Sequence, residues 1–89
     1  MSELKPIYED FFTGRKPSRA QVMARIKTAT KAGAEAISLQ WGENWIELDY
    51  HRGQWTGRGW IKAISGDDLA QELNQAAREH KRILNLWNT

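Results

Sequence analysis

Between Ala34 and Ala63 the sequence AEAISLQWGENWIELDYHRGQWTGRGWIKA admits one self-consistent strand register, and that register constrains the fold more than any other feature of the chain. Ile37, Leu39 and Trp41 alternate with Ala36, Ser38 and Gln40, and Ile46, Leu48 and Tyr50 alternate with Trp45, Glu47 and Asp49. A period of two gives each strand one apolar face. Both apolar sets fall on the same side only if Leu39 faces Ile46 and Ile37 faces Leu48, because a slip of one residue sends one set to solvent. The register leaves Gly42-Glu43 as a two-residue turn, with glycine where a type II′ turn needs a positive φ. A connection over His51 to Gln54 then sets Tyr50 opposite Trp55, Leu48 opposite Gly57 and Ile46 opposite Gly59. On the other face Trp45 meets Trp60 and Glu47 meets Arg58, an aromatic pair and an ion pair that played no part in choosing the alignment. Gly57 and Gly59 share the parity of the buried face, so Trp41, Tyr50 or Trp55 is expected to fill the space above them.

The flanking segments read as helices that cover this meander. Ser18 with Gln21 three residues on is a capping box, and Gly33 fits a C-terminal cap, which predicts a helix over 19–32 with Val22, Ile26 and Ala29 facing inward and Met23 beside them. Ser65 with Asp68 is a second capping signal, and Asp67 and Asp68 suit the positive end of a helix dipole. The stripe that follows, Leu69, Leu73, Ala76, Ala77, His80, Ile83, Leu84 and Trp87, has the clearest helical period in the chain. It predicts that this helix lies along the sheet and that His80 is buried there. Residues 1–17 fit two readings, a short helix with Leu4, Tyr8 and Phe11 on one stripe, or an extended arm whose Ile7, Tyr8, Phe11 and Phe12 lie across the sheet. The expected organisation is an N-terminal arm or short helix over 1–17 and a single α+β domain over 18–89. That domain is a two-layer α-β-β-β-α unit in which two helices cover one face of a three-stranded antiparallel meander.

Eighty-nine residues suffice for one modest core, not two. The absence of cysteine excludes disulfides and thiolate metal sites and fits a cytoplasmic setting. No apolar run approaches the length of a membrane span, so no membrane association is expected. The formal charge of +2 conceals an asymmetry, because residues 11–34 carry Arg15, Lys16, Arg19, Arg25, Lys27 and Lys31 and no acidic side chain. A one-sided basic segment points to an acidic partner such as nucleic acid. Yet on a helical wheel Lys27 and Lys31 fall opposite the apolar stripe while Arg19 and Arg25 flank it from different edges, as on an ordinary solvated face. Gly14-Arg15-Lys16-Pro17 has the form of a basic arm for a minor groove and equally of a solvated loop.

Motifs that carry chemistry are sparse. His51 and His80, without cysteine, make a poor metal site, and neither metal nor cofactor is expected. Glu47 and Asp49 point the same way from one strand, but a flat face with Arg58 opposite screens them rather than splitting their pKa values, and no nucleophile accompanies them. Thr56-Gly57-Arg58-Gly59 lies within a strand, with no helix N-terminus directly after it to hold phosphate. Over Ser18 to Trp87 the element order resembles that of the double-stranded-RNA-binding domain. That family starts its last helix with a lysine-rich motif, whereas Ser65-Gly66-Asp67-Asp68 stands here, so the resemblance implies topology and not RNA binding.

The outer face of the meander is the remaining candidate. Trp45, Trp60 and Arg58, with Gln40 beside them and Lys62 at the margin, have the composition of a protein-binding hot spot. The expected function is a small non-catalytic protein-binding module, acting on a protein partner or as a homodimer. The alternative is nucleic-acid binding through Arg15, Lys16, Arg19, Lys27 and Lys31. A fold-back of residues 4–12 over the tryptophan pair would remove the surface altogether.

Overall fold

The structure, a computed structural model, describes residues 7–87, less the side chains of residues 84, 85 and 87. The chain forms β1 (Ile7–Phe12), α1 (Arg19–Lys31), β2 (Ala36–Trp41), β3 (Asn44–His51), β4 (Gln54–Ile61), β5 (Ile64–Ser65) and α2 (Gly66–Trp87). The fold is α+β, and the central meander has the register that the alternation predicts. Leu39 pairs with Ile46 and Ile37 with Leu48. Trp45 pairs with Trp60, Glu47 with Arg58 and Tyr50 with Trp55. The turn glycines have positive φ as expected, whereas the positive φ of Arg52 is not anticipated by the sequence and the β3–β4 turn is two residues, because His51 pairs with Gln54. Gly42 has φ 58° in the β2–β3 turn, and Arg52 and Gly53 are both positive in the tight turn that joins β3 to β4.

Two strands extend the meander to a five-stranded open sheet in the order β1-β2-β3-β4-β5. β5 pairs with the end of β4 through Trp60–Ser65 and Ile61–Ile64. β1 pairs parallel to β2, with Tyr8 beside Ile37 and Phe11 beside Gln40. The helical reading of the N-terminal segment is therefore not adopted over residues 7–12; Leu4 and Pro6 lie outside the described residues. Tyr8 and Phe12 pack against the core while Ile7 and Phe11 stay exposed, a two-residue alternation that suits an edge strand. The parallel strand ahead of α1 also separates this fold from the element order of the double-stranded-RNA-binding domain.

One core forms between the sheet and both helices. It comprises Val22, Met23, Ile26 and Ala29 of α1, Ile37, Leu39, Ile46 and Leu48 of the meander, Ile61, Ile64, and Leu69 and Ala70 of α2. The capping box of α1 is complete: Ser18 Oγ accepts from the Gln21 backbone N–H at 3.1 Å and Gln21 Oε1 accepts from the Ser18 N–H at 2.8 Å. β1 is tied to α1 through Asp10, whose carboxylate takes the Tyr8 hydroxyl and the Arg25 guanidinium. The Tyr8 contact and then the Asp10 charge raise the pKa of Arg25 above its ordinary value, so it stays charged throughout the accessible pH range.

Two expectations about packing are corrected. None of Trp41, Tyr50 and Trp55 fills the space beside Gly57 and Gly59. A Cβ on Gly57 would overlap the carbonyl oxygen of Gly66, which shows that the first turn of α2 rests directly on β4. Gly59 takes φ 85°, and a Cβ there would come within 2.6 Å of the Trp45 ring. Nor does α2 cover the sheet along its whole length. Leu69 and Ala70 are buried and Leu73 is half-buried, but residues 75–83 are exposed, including His80. Twenty-two residues make a helix about 33 Å long, and β4, with eight residues, spans only about 27 Å. The helix starts part-way along β4 and outruns it. The side chains of Leu84 and Trp87 lie outside the described residues. The radius of gyration, 14.2 Å, exceeds the roughly 12 Å of a compact domain of this length, in keeping with a flat open sheet and a helix that outruns it.

Candidate protein-interaction face

The strand pairings place the candidate residues in rows across the sheet face that neither helix covers. One row runs Phe11, Gln40, Trp45, Trp60 from β1 to β4. The next runs Glu9, Ser38, Glu47, Arg58, and the third Ile7, Ala36, Asp49, Thr56. At about 4.8 Å between strands, Phe11 and Trp60 stand about 14 Å apart. Trp60 is 64% exposed, Phe11 63%, Ile7 63% and Trp45 44%. The shortest dimension of the molecule, 18 Å, accommodates a sheet and one helical layer and leaves no second layer on this side.

β1 lies beside β2 rather than over the tryptophans, so residues 7–12 enlarge the aromatic surface instead of hiding it. Residues 4–6 lie outside the described residues. The two tryptophans are not equivalent. Trp45 folds against Gly59, whereas Trp60 stands out from the strand near the β4–β5 turn.

The polar groups of the face are held in place. Arg58 Nε and Nη2 both donate to Glu47 Oε2, at 2.8 and 2.6 Å. That pair engages the one cation of the three rows, so neither Glu9, beside Ser38, nor Asp49, between Ala36 and Thr56, has a cation as its strand neighbour. Gln40 Nε2 donates to the Gly42 carbonyl at 3.0 Å, which pins it to the turn. Lys62 has φ 56° in the two-residue turn to β5 and sets its ammonium over the Trp41 ring at 5.7 Å, on the side of the helices. It is placed away from the aromatic row. Glu47, Asp49, Thr56, Gly57 and Arg58 line a shallow open depression, with none of the enclosure that acid–base work by two carboxylates needs.

The basic residues are scattered by comparison. Arg15 and Lys16 are exposed in the β1–α1 connection, which Trp41 anchors by donating Nε1 to the Gly14 carbonyl at 3.1 Å. Lys27 and Lys31 are exposed on α1. Arg19 donates to Glu72 of α2 at 3.1 Å, and Arg25 is engaged by Asp10 and lies 5.3 Å from the Phe12 ring. Among the described residues no three acidic or histidine side chains are grouped to hold a metal ion. No described helix is long and apolar enough to cross a membrane.

Phe11 and Ile7 belong to the face although sequence reasoning did not place them there. Their parity relative to Tyr8 and Phe12 was the available signal, but it assigns a face only once residues 7–12 are known to be a strand beside β2. Comparison with protein-family models, curated proteins and solved structures finds no match to this chain.

Proposed function

We propose that this chain is a non-catalytic protein-binding module that engages its partner through the outer sheet face, with Trp60, Trp45 and Phe11 as anchors and Arg58 as an orienting charge. The observation that carries this reading is the uncovered row Phe11–Gln40–Trp45–Trp60. Exposed indole and phenyl groups clustered on one flat face are unfavourable in water and gain by burial against a second surface. Aromatic residues and arginine also supply most of the energy at protein interfaces. The Glu47–Arg58 pair holds the guanidinium in one orientation without burying it, so a partner meets a fixed donor. The cysteine-free sequence suits a cytoplasmic setting for such a module.

Nucleic-acid binding through Arg15, Lys16, Arg19, Lys27 and Lys31 is the competing reading. It is weakened by the commitment of Arg19 to Glu72 and by the carboxylates Glu9 and Asp49 on the aromatic face, which repel phosphate. The two readings separate by salt. Pull-downs from the source cells with wild type and Trp45→Ala/Trp60→Ala, at low and high salt, are expected to retain a protein partner with wild type and lose it with the variant. Binding to oligonucleotides that collapses with salt and ignores the tryptophans would establish the competing reading instead.

A further inference from the structure

The second half of α2 is a surface that the proposed function does not use. Beyond Asn74 the described side chains of the helix are exposed, and Ile83, 49% accessible, continues the stripe by which Leu69 and Leu73 meet the core. This half carries Arg78, Lys81 and Arg82 against Glu79 alone. The outer sheet face has the opposite balance, with Glu9, Glu47 and Asp49 against Arg58. One molecule thus presents an acidic aromatic sheet face and a basic helix with an apolar stripe.

Within one chain the two cannot meet. α2 starts on β4 at Gly66, is continuous to Trp87 and lies on the face of the sheet opposite the tryptophans. We infer that they meet between copies: the projecting half of α2 of one protomer docks on the Phe11–Trp45–Trp60 face of a second copy of this chain, and the second copy returns the same contact. The inference rests on the outer face being a protein-binding surface and names its partner.

Charge selects this arrangement over the simpler ones. Two outer faces stacked on each other bring like carboxylates together, and two projecting helices side by side bring like cations together, whereas face on helix brings opposite charges together. Size selects reciprocity. A helical segment of 13 residues is about 20 Å long and about 10 Å wide, well short of the roughly 800 Å² per partner of a stable interface. A two-fold axis doubles the contact to about 400 Å² per partner and closes the assembly, which makes a dimer at the weak end of the size range.

Sedimentation equilibrium of the full chain tests the inference, with two single variants and their mixture. Wild type is expected to be a dimer whose dissociation constant rises modestly with salt, without the steep loss that phosphate contacts show. Trp60→Ala removes the face from both protomers and Ile83→Asp removes the helix from both, so each alone is expected to weaken dimerisation at least tenfold. Mixed in equal amounts they form a heterodimer that keeps one of the two contacts, because the helix of one still fits the face of the other; it is expected to be weaker than the wild-type dimer but tighter than either variant alone. Trp60→Lys and Arg82→Glu repeat the cross with different side chains, and circular dichroism of each variant checks that the fold is retained. A mixture that associates no more tightly than either variant alone overturns the helix-on-face contact. A monomeric wild type overturns self-association, while loss of a different protein partner on Trp45→Ala/Trp60→Ala would still uphold the outer face as a binding surface.

Discussion

Asn74 of α2 completes the hydrogen bonding of Trp55 in β4: its Oδ1 accepts the Trp55 N–H at 2.7 Å and its Nδ2 donates to the Trp55 carbonyl at 2.9 Å. One side chain does there what a neighbouring strand would do. β5 pairs with β4 only at Trp60 and Ile61, so the earlier part of β4 would otherwise present a free edge. An unpaired edge invites pairing with another chain. The same bonds fasten α2 to the sheet at the point where its core contacts end.

Replacing Asn74 with Ala should lower stability by about 1–2 kcal/mol, since two bonds to backbone groups of a half-buried residue are lost. Urea denaturation is the measurement. An unchanged midpoint would show that water replaces Asn74 without loss and that α2 is held by Leu69 and Ala70 alone.

Gly57→Ala should be more damaging, although φ at Gly57 is not positive and alanine could adopt its backbone. The added methyl would occupy the space of the Gly66 carbonyl and stand 2.6 Å from Leu48 Cδ2. Overpacking of this kind typically costs about 1–3 kcal/mol, and the upper end is expected because the obstacle is backbone. A thermal melt within a degree or two of wild type would mean that α2 lifts off β4 easily.

The two tryptophans should separate in stability. Trp60→Ala is expected to shift the folding free energy of the monomer, measured at concentrations too low for dimerisation, by less than about 0.5 kcal/mol, as for other surface substitutions. Trp45→Ala should cost about 1–2 kcal/mol, because its indole covers Gly59 and is partly buried there. Equal losses would contradict the different seating of the two rings.

Much of this architecture is legible in the sequence because its strands are local and two-sided. The alternation in Ile37–Trp41 and Ile46–Tyr50, with Gly42 at a turn, leaves one register, and the pairing of Trp45 with Trp60 follows from it. β1 is not legible in the same way. Tyr8 and Phe11 satisfy a helical stripe, Ile7, Tyr8, Phe11 and Phe12 an extended arm, and the partner strand lies beyond a whole helix. β5, Ile64–Ser65, is too short to show any period. The error at His80 has another origin. Helical periodicity tells which side of α2 is apolar but not how far the sheet beneath it extends, and the sheet ends first. His80→Leu is accordingly expected to leave the stability of the monomer, measured at concentrations too low for dimerisation, unchanged within about 0.5 kcal/mol. A loss beyond 1 kcal/mol would mean that His80 is covered in solution, as docking to another surface would do.

The other edge of the sheet yields the last prediction. Asp10 sits on the helix side of β1, where its Oδ2 takes Arg25 and the Tyr8 hydroxyl, and its Oδ1 accepts the Phe11 backbone N–H at 2.8 Å. A buttressed carboxylate on an edge strand is a charge that an incoming strand must displace, which is how many sheets avoid edge-to-edge association. Asn74 of α2 thus covers the part of β4 that β5 leaves unpaired, Asp10 is bonded to the backbone of edge strand β1, and the aromatic face is left as the open surface. Asp10→Ala should therefore do two things. Stability should fall by about 1 kcal/mol with the loss of an exposed ion pair and a local hydrogen bond, and aggregation on mild heating should accelerate as β1 becomes available for pairing. Asp10→Asn separates the effects, since it keeps an acceptor for the Phe11 N–H but removes the charge that holds Arg25. If Asp10→Asn aggregates like Asp10→Ala, the charge protects the edge; if it behaves like wild type, the hydrogen bond does. Light scattering that rises no faster in either variant than in wild type would show that Asp10 serves only to tie β1 to α1.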